Sequence, residues 1–168
     1  MAIITKKDFP KIRKENSGKK IVYCDGSFDL PHAGHILFFE DCKRLGDMLI
    51  VGIGTDKGIK KRKGEERPVL NQDIRMKTVD SFKPVDFTFL NKLPNHKNLL
   101  SQLDVCFNML KPDFYVVNED AFDIAYRKKI SKKYNVKLVV LKRTCPPEFE
   151  SISTSKIINK IMAFAKER

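Results

Sequence analysis

The chain predicts an α/β domain built on a mainly parallel sheet, and three observations carry that prediction. Five short apolar runs, at residues 21–24, 48–53, 85–90, 114–117 and 137–141, have the composition of buried strands. The segments between them repeat their apolar residues at helical spacing, and strands that alternate with helices pair in parallel through crossovers. The first run also ends in a tight Gly-bearing turn, Asp25-Gly26-Ser27-Phe28-Asp29-Leu30-Pro31-His32-Ala33-Gly34-His35, that leads directly into a helix. Strand, turn and helix in that order put free backbone N–H groups and the positive end of a helix dipole in one place, where α/β sheets bind phosphates.

Residues 1–19 are rich in Lys and hold Pro10 and Ser17-Gly18, which reads as a short basic arm or helix with no function of its own. Ile36, Leu37, Phe38, Phe39, Cys42 and Leu45 give the first helix an apolar stripe that stops at Gly46. The second strand runs into Gly54-Thr55-Asp56, again at a strand's carboxyl end. Residues 57–67 hold two glycines and six Lys or Arg with little apolar content, so they read as a mobile basic loop able to close over a ligand and deliver Lys63. Asn71 is a good N-cap for a helix through about Phe82 that carries Arg75. After the third strand a polar turn from Asn91 to His96 leads into a helix ending near Leu110, with His96 taken as a surface residue. Lys111-Pro112-Asp113 stops that helix, and the fourth strand ends at Asn118-Glu119-Asp120. A basic helix spans 123–134 before the fifth strand. The last helix is capped by Ser153 or Thr154, with Ile157, Ile158, Ile161, Met162 and Ala165 along one face.

Composition narrows the function. With 168 residues the chain is expected to form one domain. A formal net charge of +12 favours polyanionic partners, which include nucleic acid but equally nucleoside triphosphates and sugar phosphates. Phe38, Phe39, Phe87 and Phe89 fall in core-like patterns and do not interleave with Lys or Arg, which argues against a basic nucleic-acid-binding module. Cys24, Cys42, Cys106 and Cys145 are scattered without a Cys-x-x-Cys pair, so neither a zinc site nor a disulfide framework is expected. No Gly-x-Gly-x-x-Gly follows the first strand, and no apolar run is long enough to cross a bilayer. A cytoplasmic protein is expected, with no membrane partner.

The chemistry concentrates at two places. His32 and His35, three apart at the mouth of a helix, put two imidazoles beside any anion bound there, and Gly34 between them lets a phosphate approach. Ser151-Ile152-Ser153-Thr154-Ser155-Lys156 sets consecutive hydroxyls at a second helix start. The first stretch resembles the His-x-Gly-His signature of the cytidylyltransferase-like nucleotidylyltransferases, with Ser27 where Thr is more usual. Arg143-Thr144 followed by Ile152-Ser153-Thr154 resembles the same family's Arg-Thr…Ile-Ser-Thr segment, interrupted here by an insertion at 145–150. Lys63-Gly64, Arg67-Pro68-Val69 and Arg75 fit its loop and helix between them.

That resemblance implies a Rossmann-like three-layer sandwich with a five-stranded parallel sheet in the order 3-2-1-4-5. It implies transfer of a nucleotidyl group from a nucleoside triphosphate to a small phosphomonoester, with release of pyrophosphate. CTP is favoured, with ATP-dependent heptose-1-phosphate adenylyltransferase or FAD synthetase as the alternatives. His32, His35, Lys63 and Arg143 are the expected catalytic residues. Asp25, Gly26, Ser27, Phe28, Asp29, Gly34, Thr55, Asp56, Arg75, Asn118, Glu119, Asp120, Ser151, Ile152, Ser153 and Thr154 are expected to bind the nucleotide. Mg²⁺ is expected chiefly through the triphosphate, and a homodimer is implied.

Overall fold

A computed structural model describes residues 2–92, 100–143 and 145–166. Its elements are β1 (Ala2–Ile4), α1 (Phe9–Glu15), β2 (Ile21–Gly26), α2 (Ala33–Lys43), β3 (Met48–Gly54), α3 (Asp56–Lys63) and α4 (Gln72–Asp80). They continue as β4 (Phe87–Asn91), α5 (Gln102–Leu110), β5 (Phe114–Asn118), α6 (Ile124–Lys133), β6 (Lys137–Leu141) and α7 (Thr154–Lys166). The strands pair in the order β1-β4-β3-β2-β5-β6. Every pairing is parallel. The inner five strands follow the expected order, with β1 added at the edge beside β4.

The side-chain period of two splits each central strand between two cores. Ile21 and Tyr23 of β2 join Phe9, Ile12, Phe89, Phe107 and Tyr115 on the face covered by α1, α5 and α6. Val22 and Cys24 join Phe28, Phe38, Phe39, Cys42, Val51 and Val79 on the face covered by α2 and α4. Phe38, Phe39 and Phe89 are buried, so these rings serve packing. All four cysteines are free, and Cys24, Cys42 and Cys106 are buried. Among the described residues no helix is long and apolar enough to cross a membrane.

Two expectations change. The N-terminal arm is part of the fold: Ala2, Ile3 and Ile4 pair with Phe87, Thr88 and Phe89, adding a sixth strand. Phe9 and Ile12 of α1 are buried in the core. Lysines between the apolar residues hid that amphipathic pattern. The segment read as a mobile basic loop is mostly helix, because Thr55 caps α3 by accepting from the Gly58 amide at 3.2 Å and Ile59 anchors it in the interior. Only residues 64–71 connect as a loop. Asn71 caps α4 as expected, accepting from the amides of Asp73 and Ile74. His96, the turn around it and Thr144 lie outside the described residues.

Candidate active site

A cavity of about 260 Å³ opens at the carboxyl ends of β2, β3, β4 and β5. It straddles β2 and β5, where the strand order reverses, the usual ligand position in open α/β sheets. The turn after β2 forms its floor. Phe28 and Leu30 both adopt left-handed backbone conformations (φ 44° and 45°), a strained path held by its surroundings. Gly26 is required there, since a Cβ would lie 2.8 Å from the Phe28 ring.

His32 and His35 stand together in the cavity wall, their rings stacked with centroids 4.0 Å apart. The His32 Nδ1 accepts the Gly34 N–H at 3.1 Å, which assigns the ring proton to Nε2. A Cβ on Gly34 would sit 3.0 Å from the His32 ring, so the glycine makes room for the imidazole. Burial, then His32, Arg143 and Lys63, push the His35 pKa down to about 3. Burial and Arg143 lower His32 as well. Both imidazoles are therefore neutral near pH 7. Lys63, at the end of α3, is held to about 8 by burial and by Arg62 and Arg67. Arg143 enters from beyond β6, paired with Asp120. Two neutral N–H donors and two cations thus converge on one space with positive charge in excess.

Several of the expected residues serve the scaffold. The Asp29 carboxylate accepts from Arg67 Nε at 2.9 Å and from the amides of Val69 and Leu70 at 3.0 Å each. Burial pushes its pKa up, but those three donors outweigh burial and hold it below the usual carboxylate range. The Asp29 carbonyl accepts the Thr154 hydroxyl at 2.6 Å, docking the start of α7 on the turn. Asp25 accepts from Tyr115 at 2.7 Å and Arg127 at 3.2 Å. Arg75 is fully buried and donates to the carbonyls of Leu70, Ser27 and Gly54 and to Asp56.

Asp25, Gly26, Ser27, Phe28, Asp29, His32, Gly34, His35, Thr55, Lys63, Asn118, Asp120, Arg143 and Thr154 line the cavity. Arg75, Asp56, Glu119, Ser151, Ile152 and Ser153 do not. Ser151 and Ile152 line a smaller hollow of about 40 Å³ that shares Gly34, Asn118 and Arg143 with the main one. Sequence reasoning missed Arg62, Asn91, Gln102, Phe122 and Arg127, which also line the cavity. Thr55, an N-cap residue three before Gly58, was the signal that would have placed Arg62 on a helix. The others become neighbours only through the sheet order. Among the described residues no group of three or more His, Cys, Asp or Glu side chains forms a metal cage.

A sequence model described as cytidylyltransferase-like matches residues 23–160. The chain is 38% identical over 160 residues to the bifunctional protein HldE of Campylobacter jejuni strain RM1221, a match that covers 95% of this chain and 31% of that protein. It therefore spans about a third of the length of such relatives. It is 29% identical over 151 residues to the FAD synthase of Ferroglobus placidus, covering 89% of this chain and 92% of the relative. Among solved structures it resembles the lipopolysaccharide core biosynthesis protein from Thermoplasma volcanium, with a TM-score of 0.59 and 25% identity. That match covers 76% of this chain and 98% of the other.

Proposed function

The chain belongs to the cytidylyltransferase-like family of nucleotidyltransferases, and from that membership we propose that it is a single nucleotidylyltransferase domain acting on a nucleoside triphosphate and a small phosphomonoester. The observation that supports this reading best is the stacked His32–His35 pair facing Lys63 and Arg143. An oxygen of the acceptor phosphate bonds to the α-phosphorus while the bond from that phosphorus to the bridging oxygen breaks. Pyrophosphate leaves with the electron pair. No covalent step by the protein is needed, so catalysis is positioning and charge stabilisation.

His32 donates through Nε2–H, and with His35 it meets charge developing on the α-phosphate. Low pKa values suit neutral donors that keep their protons. Lys63 and Arg143 neutralise the β- and γ-phosphates, and Thr154 and Asn118 border the same end of the cavity. Asp29 and Arg75 act at a distance, by fixing the turn and the 67–70 loop against it. Mg²⁺, when bound with the triphosphate, supplies further charge neutralisation. Asp120, half-exposed beside Arg143 on the cavity wall, is the carboxylate that would hold it.

The FAD synthase relative and the Lys63-Gly64…Arg67-Pro68-Val69 spelling favour ATP as donor. The Ile152-Ser153-Thr154 spelling keeps CTP as the second reading. A cytoplasmic homodimer belongs to the same proposal, and light scattering at working concentration tests the dimer. The decisive experiment is pyrophosphate release with each nucleoside triphosphate against a panel of phosphomonoesters. Turnover by one pair supports the proposal. Salt-sensitive DNA binding with no turnover of any pair would replace it with a nucleic-acid-binding module.

A further inference from the structure

Arg62 of α3 and Phe122, in the loop after β5, meet across the cavity, with the guanidinium 4.7 Å from the ring centroid. β2 stands between β3, which leads into α3, and β5. Neighbouring strands lie about 4.8 Å apart, so the contact spans roughly 10 Å over the carboxyl end of β2, where the signature turn begins. Arg62 Nη2 donates to the hydroxyl of Ser27 in that turn at 3.0 Å, which sets the side chain directly over it.

The two ends of this bridge are held unequally. Arg127 shares the Phe122 ring, 4.9 Å from its centroid, and is buried. Its Nε donates to the Phe122 carbonyl at 2.9 Å and its Nη1 to Asp25 at 3.2 Å, so the Phe122 end is fixed. Arg62 has the Ser27 hydroxyl and the ring, and among the described residues it forms no ion pair. It also faces like charge, since burial and then Arg127 lower its pKa. A guanidinium kept from any carboxylate, on one neutral acceptor and a shared ring, gains by exchanging both for a phosphate.

Resting on the nucleotidyl-transfer reading above, we propose that Arg62 and Phe122 form a clasp over the signature turn and that a polyphosphate anion opens it. The anion offers Arg62 a charge-assisted, bidentate contact in place of a neutral hydroxyl and a ring, and that difference drives the opening. α3 stays wound on its buried Ile59, and the Arg62 side chain alone changes partner. The closed clasp competes with the anion, so it lowers the anion's apparent affinity by the fraction of molecules that are closed. The turn is thereby uncovered while the polyphosphate is bound and covered again once it leaves.

The chain has no tryptophan, so Phe122→Trp places a single indole in the clasp. Phe122 is 36% exposed and belongs to neither core, so its replacement leaves the packing intact. Saturating this variant of the whole chain with inorganic pyrophosphate, ATP or CTP should shift the indole emission as the guanidinium leaves the ring. Adding Arg62→Met to the same variant should abolish the shift while calorimetry still records binding of the anion. Phe122→Ala should bind pyrophosphate about three- to tenfold more tightly than the unmodified chain, because the competing contact is gone. A Phe122 that only supports the cavity wall would instead weaken binding when removed. Saturation without an emission shift, an equal shift with Arg62→Met, or weaker binding by Phe122→Ala each overturns the clasp and leaves nucleotidyl transfer standing. Failure of pyrophosphate, ATP and CTP alike to bind the unmodified chain removes both the clasp and the reading on which it rests.

Discussion

At the scale of single residues, the proposed function separates groups that would face substrate from groups that hold the cavity in shape. On that proposal His35→Ala removes a donor at the reacting phosphate and should lower kcat/KM by about 10²-fold or more with the fold retained; a variant with near-normal turnover would refute the role. His35 also leaves a mark on stability. Its pKa is about 3 in the folded protein against an ordinary 6.5, so between those values the unfolded chain takes up a proton that the folded one refuses. Stability from this group is complete above pH 6.5 and drains as pH falls toward 3. His35→Gln should flatten the fall in Tm between pH 6.5 and 4, and an unchanged slope would count against the burial of the imidazole. Arg75 predicts the opposite pattern. Arg75→Met strands three carbonyls and Asp56, and should cost about 3–5 kcal/mol in a urea titration. The histidine pair was legible because its spacing and its place after a strand carry information locally. Gln102 and Arg62 were not, since their meaning depends on strands distant in sequence coming side by side.

Among the elements, α3 departs furthest from expectation. Four consecutive basic residues, Lys60 to Lys63, look like solvated chain, yet the Thr55 cap, Asp56 in the first turn and buried Ile59 are enough to wind a helix. Their cations sit in its last turn, where the helix dipole favours positive charge. The amides of residues 59–64 should accordingly be protected from hydrogen exchange without nucleotide, whereas those of residues 65 and 66 should exchange quickly. Thr55→Ala should cost about 1 kcal/mol and loosen Lys63 from the cavity, seen as a raised nucleotide KM. Lys63→Ala should weaken turnover, and Lys61→Ala should do so much less, because Lys63 lines the cavity and Lys61 does not. The strands were legible since buried parallel strands advertise themselves as apolar runs, whereas their order came only with the family resemblance. β1 was not: three residues beside a lysine-rich stretch carry too little pattern to distinguish an edge strand from a tail.

For the molecule as a whole, the N-terminal segment and the charge make separable predictions. Deleting residues 2–15 removes an edge strand and uncovers the side of the sheet on which Phe9 and Ile12 are buried. The shortened chain should lose cooperative thermal unfolding, while a chain that melts as sharply as before would show α1 to be dispensable. The charge of +12 should make the KM for nucleoside triphosphate rise steeply with salt, beyond what the few cavity cations explain. Asp29 has a consequence of another kind. Its side chain is sealed from solvent and fastens the signature turn to residues 67–70, while its backbone carbonyl holds the start of α7. A genetic screen for loss of activity would therefore group Asp29 with His32 and His35, and a reader of that screen would add a third catalytic residue. Melting curves of the same alleles would sort them differently, with Asp29→Asn falling among the scaffold variants and the histidine alleles beside the parent.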